Sequence, residues 1–297
     1  MNPVSKMLGC RYPVIQGAMS VISNPELVAA VSEGGGFGLI ATAFMGKDDT
    51  DLLRNQIKAV KKITNKPFGA NLQMMNPLSR QYADILAEED IACVTVSGGS
   101  PKDLLPHLKA LGMKVIAVVP SVEAASKSEA LGVDAIVAEG TESGGIQGVR
   151  GASTMVLVPA VVDAVKIPVI AAGGIGDSRG YKAAFALGAK GVQVGTRFIA
   201  TRECIANERW KSLILETNET GTAVMNMGRY RSRIITSTSE GKIDDQPVAS
   251  AKPHLGTGFS ASQKATESQE GTLSAGEVCG LIHSIKSVQE VIDEMVA

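Results

Sequence analysis

The chain has 297 residues, 44% of them hydrophobic but only 4% aromatic, and 32 are glycines; this favours layers of Val, Ile, Leu and Ala joined by tight turns over an aromatic-rich sandwich. Its 29 basic and 30 acidic residues are interspersed and sum to a formal charge of -1, which points to neither a nucleic-acid partner nor an anionic membrane. Cys10, Cys93, Cys204 and Cys279 form no CxxC pair and no run of about 18 apolar residues occurs, so the chain reads as soluble, unexported and cytoplasmic, with free thiols, no metal site and no membrane span.

Short apolar runs recur at intervals of roughly 20 to 30 residues, each followed by a stretch with helical periodicity. Pro13–Gln16 is the first predicted strand, with a helix over Leu27–Ser32, and Gly38–Ala41 the second, with a helix over Leu53–Ile63. Phe68–Leu72 and Cys93–Val96 are the third and fourth; a helix over Leu104–Leu111 leads to the fifth, Val115–Val119. A helix over Val122–Leu131 then leads to Ala135–Ala138, one over Leu157–Val165 to Pro168–Ala171, and one over Tyr181–Leu187 to Gly191–Val194. Gly112, Gly132 and Gly188 each follow a helix and precede a strand, as left-handed C-caps do. The strands are near-continuous apolar runs, which implies a parallel sheet covered on both faces. Eight such units favour a closed (β/α)8 barrel, assigned to residues 1–206.

Residues 207–297 break the rhythm and form a C-terminal irregular and helical appendage. Thr236–Gly271 is polar and without period, which suits a lid or a surface excursion, and an amphipathic helix over Val288–Met295 closes the chain.

In a parallel barrel the chemistry sits where the strands end. Gln16-Gly17-Ala18-Met19 follows the first strand, Gly173-Gly174-Ile175-Gly176 the seventh and Gly195-Thr196-Arg197-Phe198 the eighth. Glycines on neighbouring seventh and eighth strands let backbone N–H groups approach a phosphate, as barrels commonly do at that position, against Gly173 and Gly174 serving only as turn glycines. The loop after the sixth strand, Glu139 to Gly148, carries Gly144 and Gly145 within a dense set of glycines; it suits a backbone that bends close to a ligand, or a flexible surface loop.

These residues resemble the nitronate monooxygenase superfamily, and within it the FMN-dependent enoyl-acyl-carrier-protein reductase II branch. The matching stretches are Pro13–Met19, Lys66–Asn71, Val118–Val122, Ala138–Gly140 with Gly144-Gly145, Ile167–Gly174 and Val192–Phe198, with a later likeness around Gly276. The resemblance implies FMN, with Gln16, Gly17, Ala18, Met19 and Asn71 at its ring end and Gly173, Gly174, Gly195 and Thr196 at its phosphate, Gln193 beside them. It also implies NADH or NADPH as electron donor, an acyl-thioester substrate with an acyl carrier protein as a candidate partner, and a homodimer. The activity expected is reduction of a 2-enoyl thioester. Oxidation of nitronates by oxygen, quinone reduction, and a catalytically impaired flavin-binding protein are the alternatives.

One position departs from that pattern. Where the family usually places a histidine after the Gly-Gly of the strand-six loop, this chain has Ile146. Glu142, Ser143 and Gln147 on the same loop are the substitutes that offer acid–base chemistry, against a simple loop-bracing role. His107 and His283 read as surface or packing residues, and His254 as a residue that reaches the mouth if its segment folds over it.

Overall fold

Eight parallel strands form one sheet in the order β1-β9-β8-β6-β5-β4-β3-β2. The strands are β1 Val14–Gln16, β2 Leu39–Ala41, β3 Gly69–Gln73, β4 Cys93–Ser97, β5 Lys114–Val119, β6 Ala135–Glu139, β8 Val169–Ala172 and β9 Gly191–Val194. A bridge between Ile15 and Phe37 joins the two end strands and closes the ring, so the fold is a (β/α)8 barrel. The computed structural model describes residues 1–43, 45–46, 49–148, 150–226, 231–238 and 273–297. His254 and nearly all of the expected lid lie outside them.

All eight predicted strands and all seven predicted helices are present, with boundaries shifted by a few residues. The helices are α2 Pro25–Glu33, α3 Thr50–Ile63, α5 Leu105–Ala110, α6 Val122–Leu131, α7 Thr154–Ala164, α8 Ser178–Ala186 and, at the C-terminus, α11 Val288–Val296. Gly112, Gly132 and Gly188 take φ of +75°, +98° and +97°, as expected of helix stops. Ser287 and Glu290 start α11 with a reciprocal capping box.

Four helices lack a sequence expectation: α1 Pro3–Leu8, α4 Ser79–Glu88, α9 Thr196–Ile199 and α10 Glu208–Glu216. Of these α1 closes the N-terminal end of the barrel. Asn2 donates to the carbonyl of Lys190 at 2.8 Å, just before β9, and Val4 and Leu8 join the interior side chains.

Side chains alternate along each strand between the barrel interior and the surrounding helices. The interior cluster takes Ile15, Leu39, Cys93, Ile116, Ala135, Val137, Ile170 and Ala172. Their neighbours Val14, Ile40, Val94, Val115, Ile136, Ala138, Val169 and Ala171 join the larger core beneath the helices. This larger core also takes Trp210, Leu273, Val278, Ile282, Val288 and Ile292, so the described part of the C-terminal segment packs on the barrel.

A second sheet, absent from the sequence expectations, has the order β10-β11-β7 and is antiparallel. Its strands are β7 Gly145–Gln147, β10 Thr222–Asn226 and β11 Arg231–Ile235. The glycine-rich loop after β6 is therefore partly a strand, held by a hairpin from residues read as irregular.

Candidate functional site

The period-two alternation that puts Ala135 and Val137 inside the barrel puts Glu139, the last residue of β6, inside as well. The same rule turns Asn71 and Gln73 of β3, Thr95 and Ser97 of β4 and Gln193 of β9 inward, because Ala70, Leu72, Val94, Val96, Val192 and Val194 face the helices. Apolar side chains fill the lower barrel, and its C-terminal end carries this polar set.

Asn71 is buried and fixed. Its amide nitrogen donates to Thr95 Oγ1 at 2.9 Å and to Ser97 Oγ at 3.1 Å, while its backbone carbonyl accepts from Thr42 Oγ1 at 2.8 Å. Gln16 is fully buried and acts in barrel closure: Oε1 accepts from Leu39 N at 3.0 Å, and Nε2 donates to Gly17 O at 2.5 Å and Ser23 Oγ at 2.9 Å. Ser23 Oγ also accepts from Met19 N at 2.8 Å, which shapes the turn carrying Gly17, Ala18 and Met19.

Four glycines at this end have room for a Cβ, three of them at ordinary van der Waals distance from a neighbour and Gly145 with open space beside it. A Cβ on Gly17 would come no closer than 3.6 Å to Gln193, one on Gly195 no closer than 3.6 Å to Met19 Sδ, one on Gly174 no closer than 3.7 Å to Glu142, and one on Gly145 would meet nothing within 4 Å. Gly173 and Gly174 hold φ of +100° and +71°, which side-chain-bearing residues rarely adopt. Thr196 Oγ1 accepts from Gly276 N at 2.9 Å, leaving its hydroxyl proton to donate. Ser20, next to Met19, has φ of +53° and a buried hydroxyl without a partner. These small residues and polar atoms lie together at the C-terminal end of the strands.

The loop after β6 forms the rim. Glu142 spends both carboxylate oxygens on Thr154 N at 2.9 Å and one of them on Thr154 Oγ1 at 3.0 Å, at the start of α7. Gln147 Nε2 donates to the carbonyls of Thr141, at 2.8 Å, and Ser143, and to Ser143 Oγ at 3.3 Å. Gly144 packs against Ala275 and Gly276, where an added Cβ would lie 2.6 Å from backbone. Ile146 stands opposite Ser232 in the β7–β11 pair.

Pro120, Glu139, Gly140, Thr141, Ser143, Gln147, Gly148 and Gly151 enclose a small cavity at this rim. Glu139 is the only ionisable side chain among them. Burial pushes its carboxyl up to about 7, against the opposing effect of a hydrogen bond with Ser143. Glu139 is not among the candidate acids of the sequence, although the alternation from Ala135 through Val137 carries the signal that it faces inward.

The described histidines contribute no imidazole to this cavity: His107 Nε2 meets Asp84 Oδ1 at 2.6 Å between α4 and α5, and His283 is exposed. Burial pushes the thiols of Cys93 and Cys279 up to about 12, and those of Cys10 and Cys204 up to about 11, so all four are protonated near neutrality. Among the described residues no group of His, Cys, Asp and Glu is placed to hold a metal, and no helix is long and apolar enough to cross a membrane.

The profile of the nitronate monooxygenase family matches residues 2–297. A probable nitronate monooxygenase of Staphylococcus aureus (strain Newman) is 32% identical over 299 residues, covering 83% of each chain. A Rhodococcus jostii protein named (3aS,4S,5R,7aS)-5-hydroxy-7a-methyl-1-oxo-octahydro-1H-indene-4-carboxyl-CoA dehydrogenase is 37% identical over 200 residues, covering 67% of this chain and 55% of its own length. Among solved structures, FabK from Thermotoga maritima superimposes with a TM-score of 0.85 at 34% identity, over 99% of this chain and 94% of the other.

Proposed function

This chain belongs to the nitronate monooxygenase family and is an FMN-dependent oxidoreductase, and we propose that its reaction is the NAD(P)H-dependent reduction of a 2-enoyl thioester. The likeness to FabK, an enoyl-acyl-carrier-protein reductase II, along 99% of this chain carries the reading. The Rhodococcus relative, whose name also specifies a thioester, agrees with it. Ile146 does not separate the two branches, because both usually carry the histidine: a neutral nitroalkane loses its general base, a nitronate needs none, and an enoyl thioester must take its proton from another group.

The residues at the barrel mouth are compatible with FMN: Gly17, Gly174 and Gly195 carry no side chain, Thr196 keeps a hydroxyl proton to donate, and the buried hydroxyl of Ser20 has no partner. FMN supplies hydride transfer between a nicotinamide and a substrate carbon. In this reading Gly173, Gly174, Gly195 and Thr196 hold the phosphate, while Gln16 keeps the Gly17–Met19 turn in place. Asn71, locked by Thr95 and Ser97, presents a fixed amide to the ring end, with Gln193 beside Gly17. Gly144 and Gly145 let the rim loop lie close over the mouth. The thioester is carried by coenzyme A or by an acyl carrier protein, which share a pantetheine arm.

The test is anaerobic. The protein is reconstituted with FMN, reduced with NADH or NADPH, and mixed with crotonyl-CoA, a nitronate or a quinone while flavin absorbance is followed. Rapid reoxidation by crotonyl-CoA is expected. Oxidation of a nitronate without NAD(P)H once oxygen is readmitted would favour the activity of the S. aureus relative's name instead, and reoxidation by quinone alone a quinone reductase. A flavin that no nicotinamide reduces and no nitronate reduces would mark a binding protein.

A further inference from the structure

Hydride addition to the β-carbon of an enoyl thioester leaves an enolate-like α-carbon that must take up a proton, and the histidine usual in the strand-six loop of the family is Ile146 here. We propose that Glu139, the last residue of β6 and a neighbour of Ser143 in the wall of the rim cavity, is the group that exchanges this proton in the present chain; the inference deepens the thioester reading above.

Three observations place it there. Glu139 continues the inward-facing row of Ala135 and Val137, so it belongs to the same mouth-facing set as Asn71 and Gln193. By register it stands beside Ala172 of β8, directly before Gly173-Gly174, and Ala172 in turn stands beside Gln193. It is also the only ionisable side chain lining the rim cavity, which it shares with Ser143 and Gln147.

The charged groups on neighbouring elements are committed elsewhere or distant. Glu142 caps Thr154, and Arg233 of β11 binds Thr141 O, Thr222 and Glu277. Lys114 lies at the opposite end of β5 and is paired with Asp134, and Arg150 and Arg231 are exposed. Burial therefore governs the carboxyl, holds a substantial share of it protonated near neutrality, and is opposed by Ser143. Gln147 Nε2 donates to Ser143 Oγ at 3.3 Å, which holds that hydroxyl on the wall of the same cavity.

The step balances simply. The O–H bond of Glu139 breaks and a C–H bond forms at the α-carbon, while the two electrons would be supplied as the hydride that bound FMN, once reduced by NAD(P)H, would provide to the β-carbon. The carboxylate left behind is reprotonated from water through the cavity. Glu139 is the proton donor; Ser143 and Gln147 position it.

Glu139→Gln keeps size and polarity but carries no exchangeable acid. With FMN bound, the variant is expected to retain flavin affinity and reduction by NAD(P)H, and to lose reoxidation by crotonyl-CoA by about 100-fold or more. The wild-type reoxidation rate should fall as pH rises through about 7, the variant's should not, and Ser143→Ala should move the midpoint upward. A carboxyl resonance of 13C-glutamate-labelled protein that titrates near neutrality and vanishes in Glu139→Gln is the readout independent of turnover. Unchanged reoxidation in the variant, or a Glu139 resonance titrating in the ordinary carboxylate range, overturns the proposal.

If wild-type protein fails to react with crotonyl-CoA, the substrate reading falls and the proton role is decided on a neutral nitroalkane. Loss of its deprotonation in Glu139→Gln then supports the assignment. Equal rates, or no deprotonation by the wild type, overturn it.

Discussion

Arg233 Nη2 meets a carboxylate oxygen of Glu277 at 2.8 Å, joining the hairpin over the barrel mouth to the C-terminal segment. The partners are unequal. Arg233 has 9% of its side chain exposed and also donates to Thr141 O at 2.9 Å and Thr222 Oγ1 at 3.0 Å, whereas Glu277 is 40% exposed. Removing the guanidinium strips three partners, and Arg233→Ala should cost about 2 to 4 kcal/mol. Glu277→Ala leaves the arginine its other acceptors near solvent and should cost less than about 1 kcal/mol. Urea unfolding of both variants checks this, and equal losses would contradict the asymmetry.

Gln16 is the side chain that bonds across the closure of the barrel between β1 and β2. Gln16→Leu preserves bulk but leaves Leu39 N–H and Gly17 O without their partner in a fully buried place. The expected loss is about 2 to 3 kcal/mol, with flavin affinity falling as the Gly17–Met19 turn loosens. A variant as stable as wild type would show that water or a neighbour replaces the amide.

Gly173 and Gly195 separate fold from ligand. At Gly173, with φ of +100°, a Cβ would lie 2.8 Å from Thr154 Oγ1 and 2.9 Å from Gly140 O, so Gly173→Ala should destabilise the protein itself by about 1 to 3 kcal/mol. At Gly195 the nearest atom is Met19 Sδ at 3.6 Å, so Gly195→Ala should melt like wild type without flavin. Its Cβ intrudes on the proposed phosphate site instead, and fluorescence titration should show FMN binding at least about tenfold weaker, or about 1.4 kcal/mol. Unaltered FMN affinity in Gly195→Ala would remove that residue from the phosphate site.

The strands, their order and the glycine turns were legible in the sequence because each rests on local signals: apolar runs, helical periodicity and Gly after a helix. The β7 strand was not, since Gly145-Ile146-Gln147 carries no strand pattern and forms only by pairing with Arg231–Arg233, far along the chain. Helix α1 was hidden by its six-residue length. Glu142 illustrates a limit of another kind. As a carboxylate in a glycine-rich loop it reads as a candidate acid, and only the folded chain shows both oxygens on the start of α7. Glu139 was legible by alternation, but its altered acidity depends on burial that no local pattern displays.

That burial also sets a pH dependence of stability. Folding raises the Glu139 carboxyl from 4.5 to about 7, so the folded protein binds this proton more tightly than the unfolded chain. The resulting stabilisation is fully present below about 4.5 and is lost as pH rises through about 7. Asp134 works in the opposite direction: its burial is outweighed by hydrogen bonds to Lys109 and Val115 that lower its carboxyl, so its contribution vanishes only in acid. Between pH of about 5.5 and about 8.5, wild type should therefore lose about 2 kcal/mol relative to Glu139→Gln. Urea unfolding of both proteins at the two pH values measures the difference. Parallel behaviour would mean that Glu139 titrates as an ordinary surface carboxylate, with its side chain open to water.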